Sequence, residues 1–261
     1  MVKKWKVKIP TLTGEKERRA YIYLPASYNQ EPEKRYPVMY MFDGHNVFFD
    51  ADSAFGKSWN MTSYLLWTRK NLIVVAVECN KKGNNRLKEY SPTSFEDAKY
   101  GKIRGRGRTY MNWLVKTLKP YIDTNYRTLP DRANTGIAGS SMGGLMSLYA
   151  AVRYNEYFSK AGCVSSAIGF CIRSVLKDMR SHPMAKDTKV YLSWGTKEAF
   201  GLLRTDREDR SSRTCKWNRR VAALVREQGA AATLYCQVGG AHCEADWEKL
   251  VPDFMNFLWT E

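Results

Sequence analysis

Residues 132–152 read RANTGIAGSSMGGLMSLYAAV. A short apolar step, TGIAG, runs into two serines set between small residues, and a stretch of helical composition follows at once. An ordinary turn does not require that grouping. A serine at the apex of a tight strand-to-helix bend does, because its neighbours must be small enough for the strand and helix to close on each other. Gly139-Ser140-Ser141-Met142-Gly143 fits Gly-x-Ser-x-Gly with Ser141 at the apex. Ser140 occupies the x position and is expected to point away. The feature demands a strand before it, a helix after it, and a sheet edge above which a hydroxyl can project.

The remaining chain supplies such a sheet. Short apolar, β-branched runs bounded by turn residues predict strands at 5–9, 18–24, 36–42, 71–78, 135–139, 160–166, 189–194 and 232–238. The first two alternate and have no helical crossover between them, so they read as an antiparallel start. Those from residue 36 onward read as parallel strands buried on both faces. Helical periodicity is clearest over 108–125, where Tyr110, Trp113, Leu114, Leu118, Tyr121 and Ile122 form one apolar stripe. Further helices are predicted over 142–153, 215–228 and 244–259. Strands alternating with helices imply an α/β doubly wound fold, in which ligands bind beyond the carboxyl ends of the strands. With 261 residues, 44% apolar content, no linker and no internal repeat, a single domain over 1–261 is expected.

The six cysteines, Cys79, Cys163, Cys171, Cys215, Cys236 and Cys243, show no CxxC pairing and several lie in apolar runs. That pattern predicts buried free thiols in a reducing compartment rather than a disulfide frame or a zinc site. The N-terminal stretch MVKKWKVKIPTLTGEKERRAYIYLP has no continuous apolar segment of signal-peptide type. No run approaches the ~20 apolar residues of a membrane span, so no membrane association and a cytoplasmic location are expected. The net charge of +16 is scattered, with local clusters at 101–108 (GKIRGRGR) and 204–220. Such a field attracts anionic ligands or nucleic acid. The sequence GKIRGRGRTYMNW, with aromatics after basic residues, has the composition of a single-strand-binding surface. A nucleic-acid binder without catalysis would not, however, require the residues considered next.

A serine nucleophile needs a base. The chain holds three histidines. His242, in VGGAHCEADWEKL, immediately follows the last predicted strand and can return over the sheet edge. His45, in FDGHNVF, follows the third strand, and His182 lies in a polar loop; both stay open as alternatives. The acid is expected after the strand at 189–194, where LSWGTKEAFG places Glu198 behind a Gly-Thr turn. Asp206 and Asp209 lie further along the same loop. Nucleophile, acid, histidine is the chain order of α/β-hydrolases. The N–H of Met142 would face a developing oxyanion, with a second donor from the loop after the third strand: the N–H of His45 or of Gly44. Asp43 would brace that loop by bonding its backbone.

Taken together, MFDGHNVFFD, AGSSMGGL, WGTKE and GGAHCEADW resemble the putative-esterase family of α/β-hydrolases, which includes enterochelin-esterase-like proteins and the feruloyl and acetyl-xylan esterases of carbohydrate esterase family 1. The resemblance spans about residues 18–259. It implies an α/β-hydrolase fold with a mostly parallel eight-stranded sheet, no cofactor and no metal. It also implies that Ser141, Glu198 and His242 act as nucleophile, acid and base, and that N–H groups at Met142 and near His45 hold the oxyanion. The S-formylglutathione hydrolases of the same family carry a different serine context and an aspartate, from which GSSMGG with GTKE departs.

Substrate is less legible. About two dozen residues separate the sixth and seventh predicted strands, too few for a large lipase-type lid, which favours a soluble or polymeric ester. Trp59, Phe55, Tyr90, Phe200 and Trp194 follow strand ends and offer rings to an aromatic acyl group or a sugar. Arg86, Lys57 and Arg204 offer charge to an anionic ligand such as a catecholate siderophore ester. A feruloyl or acetyl ester of a carbohydrate needs no such charge, and that is the expected substrate class.

Overall fold

The computed structural model describes residues 1–198 and 210–259 of the chain. Its first strands, β1 (Val2–Lys8) and β2 (Glu17–Tyr23), are joined through a single helical turn, α1 (Pro10–Thr13), and pair antiparallel. After β3 (Val38–Met41), helix α2 (Met61–Thr68) crosses to β4 (Ile73–Val77), which lies parallel to β3 and antiparallel to β2. Helix α3 (Asn85–Glu89) and a small antiparallel pair, β5 (Phe95–Asp97) with β6 (Gly101–Ile103), lead into a long helical stretch. That stretch comprises α4 (Gly107–Trp113), a π turn (Leu114–Leu118) and α5 (Lys119–Asn125).

The second half is regular. Strand β7 (Thr135–Ser140) enters α6 (Met142–Arg153), β8 (Lys160–Val164) precedes α7 (Ile172–Ser181), and β9 (Lys189–Gly195) precedes α8 (Arg213–Glu227). Strand β10 (Ala231–Gln237) is followed by α9 (Glu244–Glu248) and α10 (Val251–Trp259). Among the described residues, eight strands form one sheet in the order β1-β2-β4-β3-β7-β8-β9-β10, parallel from β4 onward.

Alternation along the strands builds two cores. Val38 and Tyr40 of β3 and Ile73, Val75 and Val77 of β4 face one side, where α4, α6, α7 and α8 cover them. Met39 and Met41, Val74 and Ala76 face the other side with residues of α2 and α10, among them Leu65, Phe254 and Leu258. Successive side chains of a strand point to opposite faces, so a sheet covered on both faces reads as an unbroken apolar run.

The expected mostly parallel eight-stranded α/β sheet is present, all eight predicted strands lie in it, and no large lid appears among the described residues. Four local readings change. Strand β2 is buried along nearly its whole length instead of alternating, because Ala20 and Ile22 pack into one core and Tyr21 and Tyr23 into the other. Strand β10 is the sheet edge and is largely open rather than buried on both faces. The π turn inside 107–125 shifts the helical phase, so Tyr121 leaves the apolar stripe and is 46% exposed, while Lys119 turns inward onto Asp123 and the Pro130 carbonyl. The helix expected over 244–259 is interrupted after Glu248, where Pro252 has no N–H to return to the carbonyl four residues back. The basic cluster 101–108 lies on β6 and the lead into α4.

Candidate active site

The chemistry-bearing residues collect at the carboxyl ends of the parallel strands. Ser141 follows β7 directly with φ 57° and ψ −120°, a region that non-glycine residues rarely adopt, and is half-buried. The flanking glycines make this bend possible. A β-carbon on Gly139 would lie 2.9 Å from the backbone of Gly143, and one on Gly143 would lie 2.9 Å from Cβ of Phe42. The bend is held by the end of β8 and the turn that follows it: Ser141 N–H donates to the Val164 carbonyl at 3.0 Å, and Ala167 N–H donates to the Ser141 carbonyl at 2.9 Å. Met142 is the first residue of α6, so its N–H has no carbonyl one turn earlier to bond. Ser140 is buried at the end of β7.

The loops after β9 and β10 are stitched together. Thr196 N–H donates to the Gln237 carbonyl at 3.0 Å, Lys197 N–H to the Gly240 carbonyl at 2.9 Å, and Gly239 N–H to Oγ1 of Thr196 at 2.9 Å. Asp246 accepts from Ala241 N–H at 2.8 Å and so fixes the approach to His242. These ties bring His242 Nδ1 to 3.2 Å from Oε2 of Glu198, a carboxylate 5% exposed beside a half-open imidazole. The other oxygen, Oε1, accepts the hydroxyl of Ser165 at 2.6 Å, and Ser165 Oγ accepts from the Trp247 indole N–H at 2.9 Å. The Trp247 ring also meets the His242 imidazole edge-on, with centroids 4.9 Å apart. Among the described residues, no hydrogen bond joins Ser141 Oγ to His242; such contacts often tighten only when substrate is bound.

The loop after β3 is built differently from expectation. Asp43 lies at φ 55°, and among the described residues its carboxylate accepts no backbone N–H of the loop. Instead the carboxylate takes Arg86 Nε at 2.8 Å and Nη2 at 2.7 Å, and the Asp43 N–H reaches the Tyr90 hydroxyl at 3.3 Å. Burial alone would raise the Asp43 pKa, but the adjoining guanidinium lowers it below the usual range. Gly44 lacks a side chain because β4 leaves no space: a β-carbon there would lie 2.8 Å from backbone atoms of Ala76 and Val77. His45 is 3% exposed, its Nδ1 has no hydrogen-bond partner among the described residues, and desolvation lowers its pKa. Asp43, His45 and Cys79 place ligand atoms within 4.8 Å of one another, a grouping the sequence spacing does not reveal. Arg86 already supplies positive charge there, and burial pushes the Cys79 thiol up.

Several expected ligand contacts are committed elsewhere. Trp59 is 3% exposed and packs against Trp247 and Phe254, while Tyr90 and Trp194 are buried, so none offers a ring face to a substrate. Arg86 is tied to Asp43 through two of its nitrogens, and Lys57 pairs with Glu248 at 2.8 Å. Phe55 is exposed. Phe200, Arg204, Asp206 and Asp209 lie outside the described residues. His182 ends α7, bonded to the Asp178 carbonyl and to Arg153. Sequence reasoning missed Ser165, Trp247 and a buried bridge from Asn46 Nδ2 to Glu244 Oε1 at 2.7 Å, which ties the loop after β3 to the start of α9. Ser165 carried one signal, a polar pair closing the predicted strand at 160–166.

The chain and its fold are similar to known proteins. The chain is 27% identical over 153 residues to the uncharacterised protein YbbA of Bacillus subtilis, covering 58% of this chain and 57% of that protein. It is 28% identical over 154 residues to an endo-1,4-beta-xylanase/feruloyl esterase of Xylanibacter ruminicola, covering 58% of this chain but 20% of that protein. Among solved structures, an IroE-like serine hydrolase from Shewanella oneidensis superposes with a TM-score of 0.74 at 17% identity, over 98% of this chain and 78% of that one. A CE1 ferulic acid esterase from Anaeromyces mucronatus superposes with a TM-score of 0.63 at 20% identity, over 100% and 90%. The model of the family described as Putative esterase matches residues 12–257. The chain therefore belongs to the putative-esterase family of α/β-hydrolases.

Proposed function

We propose that the chain is a serine carboxylic-ester hydrolase, a single catalytic domain using Ser141 as nucleophile, His242 as base and Glu198 as acid. The observation that carries this reading is the positive φ of Ser141 at the β7–α6 junction. Strain of that kind persists at a non-glycine residue where the side chain is needed at that place. In the first half-reaction His242 Nε2 takes the hydroxyl proton as Ser141 Oγ bonds to the ester carbonyl carbon. The oxyanion is received by the N–H of Met142 and by an N–H of the loop at Gly44 or His45. Imidazolium then protonates the leaving alcohol, and water repeats the sequence on the acyl-enzyme. No metal or organic cofactor takes part.

Feruloyl or acetyl esters of carbohydrates, or similar soluble esters, are the proposed substrates. The xylanase/feruloyl esterase relative supports this class, and so does the commitment of Arg86 to Asp43, which leaves that cation less free for a catecholate siderophore ester. Among the described residues the cysteines form no disulfide, and Cys79, Cys163, Cys171 and Cys215 are buried, which supports a reducing and hence cytoplasmic compartment. No described helix is long and apolar enough to cross a membrane. A fluorophosphonate should label Ser141 covalently, and p-nitrophenyl acyl esters and methyl ferulate should turn over while a catecholate trilactone does not. Absence of labelling together with silence on every ester would end the proposal; trilactone turnover alone would reverse the substrate assignment.

A further inference from the structure

We infer that Ser165 is a positioning residue for ester hydrolysis, holding Glu198 in the orientation that receives His242, with the Trp247 indole as its anchor. This rests on the proposed roles of Ser141, His242 and Glu198. Ser165 stands immediately after β8, which lies between β7, the strand that runs into Ser141, and β9, the strand that leads to Glu198. It is 3% exposed and has φ 44°, where a glycine would sit without strain. Its side chain explains the choice. An indole can only donate, so the Trp247 N–H occupies Ser165 Oγ as an acceptor at 2.9 Å and leaves the hydroxyl proton for Glu198 Oε1 at 2.6 Å. With Oε1 held, Oε2 faces His242 Nδ1 at 3.2 Å; an ionised carboxylate only accepts, which places the imidazole proton on Nδ1 and leaves Nε2 free as base.

The circuit closes on itself, because Trp247 also packs its ring against His242. It is joined to the nucleophile turn as well. Val164 and Ala167, on either side of Ser165, both bond the Ser141 backbone. One turn after β8 thus sets both the acid and the bend that carries the serine.

Ser165→Gly tests the hydroxyl separately from the backbone, since glycine accepts the positive φ. The variant should stay folded, with relief of the positive φ partly offsetting the lost hydrogen bonds; KM for a p-nitrophenyl ester should stay within about twofold, and kcat should fall roughly 10- to 100-fold, as loss of a hydrogen bond to a charged group implies. Trp247→Phe, which keeps a ring beside His242 but removes the N–H, should lower kcat in the same direction. In a Glu198→Gln background Ser165→Gly should cost less than about threefold more, because its partner is already altered. Full kcat in Ser165→Gly, or an undiminished further loss in the Glu198→Gln background, would overturn the inference. Turnover retained by Ser141→Ala would instead remove the proposed function beneath it, so the two failures are distinguishable.

Discussion

A β-carbon built on Gly195 would lie 2.6 Å from the carbonyl carbon of Gly240 and closer still to its oxygen. Gly195 ends β9, three residues before Glu198, and Gly240 precedes His242 by two. The crossing of these two loops is what brings the carboxylate to the imidazole, and it depends on an absent side chain. Gly195→Ala cannot relieve the clash by rotating, since the obstacle is backbone. We expect a loss of about 1–3 kcal/mol, the usual size of an overpacking penalty, and a larger loss of turnover as the His242 loop is pushed off Glu198. A melting curve and an ester assay on the same preparation check both; unchanged turnover would show that the crossing is not needed.

The Arg86–Asp43 pair is buried on the Asp43 side and bidentate. Removing the guanidinium leaves a carboxylate without its counter-charge, so Arg86→Met should destabilise by about 3–5 kcal/mol. The pH dependence follows from the sign of the shift. Asp43 has a folded pKa below its unfolded value, so its contribution is present above the unfolded pKa and is lost as the pH falls through the folded one. Urea midpoints followed from pH 7 downward should show the wild type losing this contribution only in strong acid. The variant should begin weaker and lack that acid-side loss, and parallel curves would contradict the assignment.

Glu244 behaves in the opposite sense. Burial raises its pKa, so the folded state holds the proton more tightly than the unfolded chain does. Stability from this group is complete below the unfolded pKa and declines as pH rises through the folded value. Glu244→Gln keeps an oxygen for the Asn46 amide and removes the charge. Its melting temperature should exceed that of the wild type by a few degrees at pH 8 and match it near pH 4. A deficit at pH 8 would show that the ionised form is needed.

Trp59 separates packing from substrate binding. It fills the core between Trp247 and Phe254. Trp59→Ala should cost about 3–5 kcal/mol, as truncation of a buried aromatic does. Any folded enzyme should keep its KM for methyl ferulate within about twofold, since less than 1.4 kcal/mol of binding is at stake. A tenfold rise in KM without loss of stability would return Trp59 to the substrate site.

The legible part of this molecule was local. The inner strands announced themselves by short apolar runs, because burial of both faces leaves a continuous hydrophobic signature, whereas the edge strand β1 showed itself by alternation. The Ser141 bend was readable because its steric demands fall on residues one or two positions away, Gly139 and Gly143. The scarcity of histidines singled out His242, and the Gly-Thr turn after the strand at 189–194 singled out Glu198; the structure sets the two side by side. The π turn before Lys119 left no mark in a pattern that assumes one helical pitch.

The illegible part consists of contacts between distant segments. Ser165 meets Glu198 across 33 residues and Trp247 across 82, and Arg86 reaches Asp43 across 43. No periodicity or spacing encodes such pairings. Trp59 and Arg86 were read as ligand contacts because they follow strand ends, yet a position after a strand says nothing about which way a side chain turns.

By itself the sequence determined the strand–helix alternation, the bend at Ser141 and the residue types available for acyl transfer, since each follows from hydrophobic period or from steric limits on adjacent residues. Only the tertiary structure decided which polar groups pair across the carboxyl edge of the sheet and which aromatics are spent on packing. The reason is that those outcomes depend on distances between loops that the sheet brings together, and chain separation does not contain them.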